Sequence, residues 1–145
     1  MRDTIESKQV VLRYRVRPLG RQLAVGHGLN DAGHVAGESL QASRRAVVLQ
    51  DGIVKELGTL GGAFSTARGI NNAGHVVGGS LTDGDRDHHA FLYADGAMHD
   101  LNELIEPGWE IVHALSINDA GDILAIANRG DGDWPVLLVR VKSYR

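Results

Sequence analysis

One short phrase is written three times in this chain. Leu29-Asn30-Asp31-Ala32-Gly33-His34-Val35 returns as Ile70-Asn71-Asn72-Ala73-Gly74-His75-Val76, and again as Ile117-Asn118-Asp119-Ala120-Gly121-Asp122-Ile123. The asparagines lie 41 residues apart (30 to 71) and then 47 residues apart (71 to 118). Self-similarity at that period marks a repeat architecture, in which one supersecondary unit buries its apolar face only against its neighbours. The phrase constrains the fold strongly and the activity hardly at all.

Each copy sits between short apolar runs. In the second, Ala67 to Asn71 leads into Asn-Asn-Ala-Gly and then His75 to Ser80. An asparagine can bond its own backbone two residues on, and a glycine after a type I turn can take the left-handed conformation, which together make a bulged hairpin. His89 to Tyr93 follows, then Asp95-Gly96, a two-residue hairpin signal, then Ala97 to Leu101. The unit is therefore four strands joined by hairpins. The first repeat matches it, with Leu23 to Leu29, His34 to Ser39, Ala46 to Leu49, Asp51-Gly52 and Ile53 to Leu57. Strand three is apolar on both faces, as in Val47-Val48-Leu49, so a sheet is expected on each side of it. Small residues at Gly37, Gly78 and Ala125 leave room for a close neighbour.

The third repeat is short by one strand. It offers Val112 to Ile117, Asp122 to Ala127 and Val136 to Val141, with no second Asp-Gly hairpin. One strand-like segment is unassigned at the other end of the chain. Val10, Leu12, Tyr14 and Val16 alternate with Arg13, Arg15 and Arg17, and the segment echoes Lys55 to Gly58, the fourth strand of repeat one. The expectation is one all-β domain, 1–145, of three four-stranded antiparallel units, propeller-blade or prism-like. Repeat 1 covers 23–62, repeat 2 covers 66–104 and repeat 3 covers 112–142, with 10–20 as the closing strand of the third unit. Two closures satisfy this pattern: a three-fold body within one chain, or a half-ring that a second copy completes as a six-bladed homodimer, the N-terminal strand closing it in trans.

The residues resemble the HAF repeat, a family named for the tripeptide found here at His89-Ala90-Phe91. Gly69 to Ser80, His89 to Gly96 and Glu56 to Gly62 follow its pattern, whereas Arg45-Ala46-Val47 and Trp134-Pro135-Val136 depart from it. The resemblance implies a bacterial, extracellular repeat protein at the cell surface or beyond, and it implies no reaction. Met1 to Gln9 is polar with no apolar signal core, so a cytoplasmic location also stays open.

Composition narrows the function classes. With 145 residues and a net charge of −3, the chain lacks the basic balance that phosphate contacts demand, so no nucleic-acid partner is expected. No run approaches a bilayer-spanning length, so no membrane span is expected either. There is no cysteine, hence no thiol catalysis, disulfide or thiolate metal site. Gly58-Thr59-Leu60-Gly61-Gly62 lacks the Lys and Ser/Thr of a phosphate loop and reads as a crossover between units.

Two loops space acids with glycines as a calcium loop would: Asp83, Asp85 and Asp87 in repeat two, Asp131 and Asp133 in repeat three. Solvated turns favour the same residues. His34, His75 and Asp122 occupy equivalent positions that could converge on a metal, or simply point outward after the turn. The His88-His89 pair with Asp87 reads either as a ligand cluster or, for the repeat histidine, as a hydrogen bond to a neighbouring unit. Arg129-Gly130-Asp131 spells an adhesion tripeptide that chance also produces, and the arginine face of 13, 15 and 17 is a solvated strip or a weak anionic site. No Gly-x-Ser-x-Gly or other catalytic constellation is visible. The functional expectation is a non-enzymatic binding or interaction module for a glycan or another cell-surface ligand. Its loops would be those carrying Gln41 and Arg44, Asp83, Arg86 and His88, and Arg129 and Trp134. The alternative is a structural self-assembly protein whose partner is itself.

Overall fold

The computed structural model describes residues 11–40 and 43–141. It is all-β, with 11 strands in three antiparallel sheets. Strands β1 (Val25–Leu29), β2 (Val35–Leu40), β3 (Arg44–Gln50) and β4 (Ile53–Gly58) form the first sheet in chain order. Strands β5 (Gly61–Ile70), β6 (Val76–Thr82), β7 (His88–Ala94) and β8 (Ala97–Asp100) form the second in the same way. Strands β9 (Glu110–Ile117), β10 (Ile123–Asn128) and β11 (Asp133–Leu138) form a third sheet of three. The turn chemistry read from the sequence is realised. Gly33, Gly74 and Gly121 all have positive φ at the end of the Asn turns, and Asp51-Gly52 and Asp95-Gly96 are both left-handed.

The sheets pack in series, the second between the first and third. One core cluster joins Ala36, Ala46, Val48 and Leu57 of the first sheet to Ala67, Ile70, Val76 and Phe91 of the second. Another joins Val77, Ala90 and Leu101 to Ile111, Ala114, Ile117, Ile123, Ala125 and Ala127. Alternation explains the partition: Val76 and Phe91 point one way from the second sheet, Val77 and Ala90 the other. Residues 46 to 49 are all buried, Val48 against the second sheet, and Val47 and Leu49 under Leu23 rather than under the further sheet expected there.

The sequence phrase does more than turn the chain. The Asn30 side chain donates to the Asn71 carbonyl at 3.1 Å, and the Asn71 side chain donates to the Asn118 carbonyl at 3.1 Å. The residue after each asparagine repeats the step. The Asp31 amide donates to Asn72 Oδ1 at 2.7 Å, and the Asn72 amide to Asp119 Oδ1 at 2.8 Å. Each turn is thus hydrogen-bonded to the next sheet. Asn30 and Asn71 are buried, while Asn118 is exposed and turns its amide to Asp122 at 3.5 Å. Gly28 and Gly69 allow the inner strands to touch, since a Cβ at either would lie 2.8 to 3.0 Å from the next sheet's backbone.

Two expectations are corrected. The three sheets do not close into a prism within the chain, because first and third each pack on the second and not on one another. The N-terminal segment does not complete the third sheet of its own chain: residues 11–20 form no strand there and are exposed, with Tyr14 at 88% and Val16 at 89%. Residue 10 lies outside the described residues. The physical reason is reach. The chain enters the first sheet through Leu23, which packs on Val47 and Leu49 on the side away from the second sheet. The third sheet lies two layers away, about 20 Å at ordinary sheet spacing.

Removing the Asn71 side chain is predicted to cost about 1 to 3 kcal/mol, the loss of two part-buried hydrogen bonds. Asn71→Asp keeps the acceptor for the His75 amide but loses the donor to Asn118, and it too should lower the urea midpoint. An Asn71→Asp midpoint equal to that of the parent would show that the contact between sheets contributes nothing.

Candidate functional site

The missing fourth strand leaves a cleft. A cavity of about 940 Å³ opens beside β11, between the third sheet and the outer part of the second. Leu92, Leu101, Ile105, Trp109, Ile123 and Val136 make its apolar wall, and His75, Asp95, His99, Glu106 and Arg140 are the ionisable groups around it. In the first two sheets β4 and β8 stand at this place, with Leu57 and Met98 packed into the layer between sheets. The third sheet supplies no equivalent, so its β11 edge is unpaired among the described residues. On the opposite face of this sheet, Leu124 and Leu137 lie directly across from each other, 44% and 60% exposed, with Leu115 also exposed.

The loops expected to bind join strands two and three of each sheet and gather at the end opposite the Asn turns. Ala63 draws two of them together, accepting from Ser43 Oγ at 3.0 Å and donating to Asp85 Oδ1 at 2.8 Å. Arg44 begins β3 and is exposed; Gln41 lies outside the described residues. Asp83 and Arg86 border a shallow cavity of about 360 Å³ with Asp87, His89 and Asp100.

Three of the five spaced acids, Asp85, Asp131 and Asp133, have carboxylates held by the protein itself, and Asp87 is held through its amide. Asp85 accepts from Ala63, the Asp87 amide donates to Thr82 Oγ1 at 3.1 Å, and Asp133 accepts from Asn128 at 3.2 Å. Asp131 accepts from Trp134 Nε1 at 2.9 Å and faces Arg129 at 3.5 Å. The Trp134 hydrogen bond, aided by Arg129, holds the Asp131 carboxyl below its ordinary pKa. Among the described residues no group of three His, Asp or Glu side chains is arranged to hold a metal ion. His34, His75 and Asp122 are not brought together as a ligand set; His75 lines the cleft and Asp122 accepts from the Arg140 amide at 2.9 Å.

Arg129 lies over both tryptophans, 5.0 Å from the Trp109 ring and 4.6 Å from the Trp134 ring. The sequence placed Trp134 beside this loop but gave no sign of Trp109, which arrives from the connection before β9. Its guanidinium covers one face of each ring, so that face is closed to a stacking ligand.

The repeat histidine is a seam residue. His89 Nδ1 meets Asp100 at 2.7 Å in its own sheet, and Nε2 meets Glu110 of the third sheet at 3.2 Å. Burial opposes its charge, but the two carboxylates outweigh burial and raise its pKa above 6.5. Next to it, His88 bonds the Val112 carbonyl at 3.1 Å and its ring lies 4.2 Å from that of His113. Burial, then His88 and Arg68, push His113 below 6.5. Sequence reasoning missed Glu110 and His113, which no repeat position announces. It also missed Ser65 and Ser80, whose hydroxyls accept from the Ala46 amide at 2.9 Å and the Leu60 amide at 2.8 Å and tie the crossover Gly58 to Gly61 in place.

No protein-family model, no curated protein and no solved structure matches the chain.

The two histidines pull stability in opposite directions with pH. His89, with a raised folded pKa, stabilises fully below its unfolded value near 6.5 and loses that contribution as pH rises through the folded value. His113, with a lowered one, costs stability as pH falls below 6.5. Denaturant unfolding of His89→Gln against the parent should show a deficit at pH 5.5 that shrinks by pH 8. A deficit that grows toward pH 8 would contradict the ion-paired seam.

Proposed function

We propose that this protein is a non-enzymatic β-repeat interaction module that accepts an extended polypeptide segment at the open side of its third sheet. The carrying observation is the pairing of a free β11 edge with the apolar cleft of about 940 Å³ beside it. Strand addition uses both: the edge offers main-chain hydrogen bonds, and the cleft takes alternate side chains. Asp95 and Glu106 outnumber Arg140 at the cleft, which favours a segment that alternates apolar with basic residues. The ionisable pairs nearest the loop end, His89 with Asp100 and Glu110, join sheets rather than face the cleft, which fits a binding role better than a catalytic one. The HAF-repeat resemblance is compatible with this reading, and a surface or extracellular setting remains part of the proposal.

A glycan at the loop end is the second reading, favoured by the grouping of Trp109 and Trp134 around Arg129. Oligosaccharide titrations followed by tryptophan fluorescence separate it from strand addition.

Amide hydrogen exchange tests the acceptor. Edge-facing amides of β11 should exchange at least about 100-fold more slowly than an open chain, an opening free energy of about 3 kcal/mol. That protection is expected in the protein as purified, or after adding excess decapeptide of alternating apolar and arginine residues. Fast exchange in both conditions contradicts the reading.

A further inference from the structure

The segment that fills the acceptor can be named. Resting on the reading above, we propose that residues 11–17 of a second copy of this chain form the fourth strand of the third sheet. The exchange is reciprocal, so that two chains complete one ring of six sheets.

The register follows from the repeats. Asn30 matches Asn71 at an offset of 41 residues, and the same offset places Leu12, Tyr14 and Val16 on Ile53, Lys55 and Leu57 of β4. Pro18-Leu19-Gly20 falls on the crossover Thr59-Leu60-Gly61, which carries the chain from the fourth strand of one sheet to the first strand of the next. The N-terminal segment is therefore placed as a fourth strand belonging to the sheet that precedes the first. Among the described residues of the chain there is no such sheet.

The own third sheet cannot supply it. Arg17 to Gln22 span about 20 Å at full extension, and the third sheet lies about that far away by stacking alone, with the second sheet between. A second copy removes the obstacle by presenting its third sheet against the free side of the first.

Three observations fit that seam. Val48 pairs with Lys55 in the first sheet and Leu92 with His99 in the second. Leu137 is their counterpart, because it lies opposite Leu124 as Val48 lies opposite Ala36 and Leu92 opposite Val77. Tyr14 thus pairs with Leu137. In this register Leu12, Tyr14 and Val16 extend the exposed strip of Leu124 and Leu137. Arg13 and Arg15 enter the cleft, their aliphatic stems against its apolar wall and their charges toward Asp95 and Glu106. The asparagine ladder also continues. Asn118, exposed and bonded only weakly to Asp122, takes up the donor role toward Asn30 of the second copy that Asn71 plays toward Asn118. Ser116 stands where Gly28 and Gly69 stand at the other seams, so this seam is the wider one.

Two copies suffice. Propellers close with about four to eight blades, and six is the one multiple of three in that range. Each chain then donates and accepts once, a closed two-fold arrangement.

The chain has no cysteine, so engineered thiols report one contact without background. The double variant Tyr14→Cys/Leu137→Cys, oxidised as the full-length protein, is predicted to give a covalent species of twice the 15.6 kDa chain mass. A mixture of the two single variants should give the same linked pair once subunits exchange. Leu137→Cys mixed with Asp51→Cys, an exposed turn position, should give at least ten-fold less. An internal disulfide at one-chain mass overturns the exchange between copies. No disulfide with β11 protected leaves the acceptor standing and overturns this donor; no disulfide with β11 unprotected overturns both.

Discussion

A single side-chain amide, used twice, sets the geometry of this protein. Asn30 reaches the carbonyl of Asn71, and Asn71 reaches that of Asn118. Each bond contributes about 1 kcal/mol net, less than the apolar layers it accompanies. Its importance is directional. Apolar faces would tolerate sliding and rotation, because the hydrophobic effect has no preferred angle. A hydrogen bond from one turn to the equivalent atom of the next fixes the step between sheets, and repeating the residue repeats the step.

A step that repeats without closing leaves two different ends. The first sheet ends in buried asparagine and a neighbouring layer; the third ends in exposed Asn118, exposed Leu124 and Leu137, and a sheet short by one strand. Large exposed apolar groups on a free edge invite pairing, and proteins ordinarily cover or charge such edges. The arginines at 13, 15 and 17 carry both properties: they keep the free segment soluble, and they suit the acids of the cleft. The proposed binding site and the proposed assembly are consequences of one deficit.

Much of the fold was legible. The Asn-x-Ala-Gly turns, the two Asp-Gly hairpins and the doubly apolar strand three each rest on local chemistry that the structure reproduces, down to the strand missing from the third repeat. What was not legible was the closure. Sheet-to-sheet angles arise from atoms brought together over 41 and 47 residues, and neither spacing nor propensity encodes an angle. The asparagines were read as turn formers for their contact two residues on, as Asn30 Oδ1 makes with the Ala32 amide at 3.1 Å. Their second bond, to the next sheet, is invisible until the sheets are stacked. The site was less legible still. Asp85, Asp131 and Asp133 look like ligands in sequence and accept hydrogen bonds from the protein's own groups in space, while the cleft is defined by a strand missing from the third sheet among the described residues. Glu110, which completes the His89 pair, sits at no repeat position.

The central claim is that the repeat continues from one chain into another. The mass of the untagged, full-length protein under native conditions tests it most directly, by mass spectrometry from gentle buffer or by light scattering after gel filtration. The account predicts one species at about 31 kDa, twice the chain mass of 15.6 kDa, persisting on dilution because each seam is a layer of core rather than a surface contact. A single-chain mass at every concentration would contradict it.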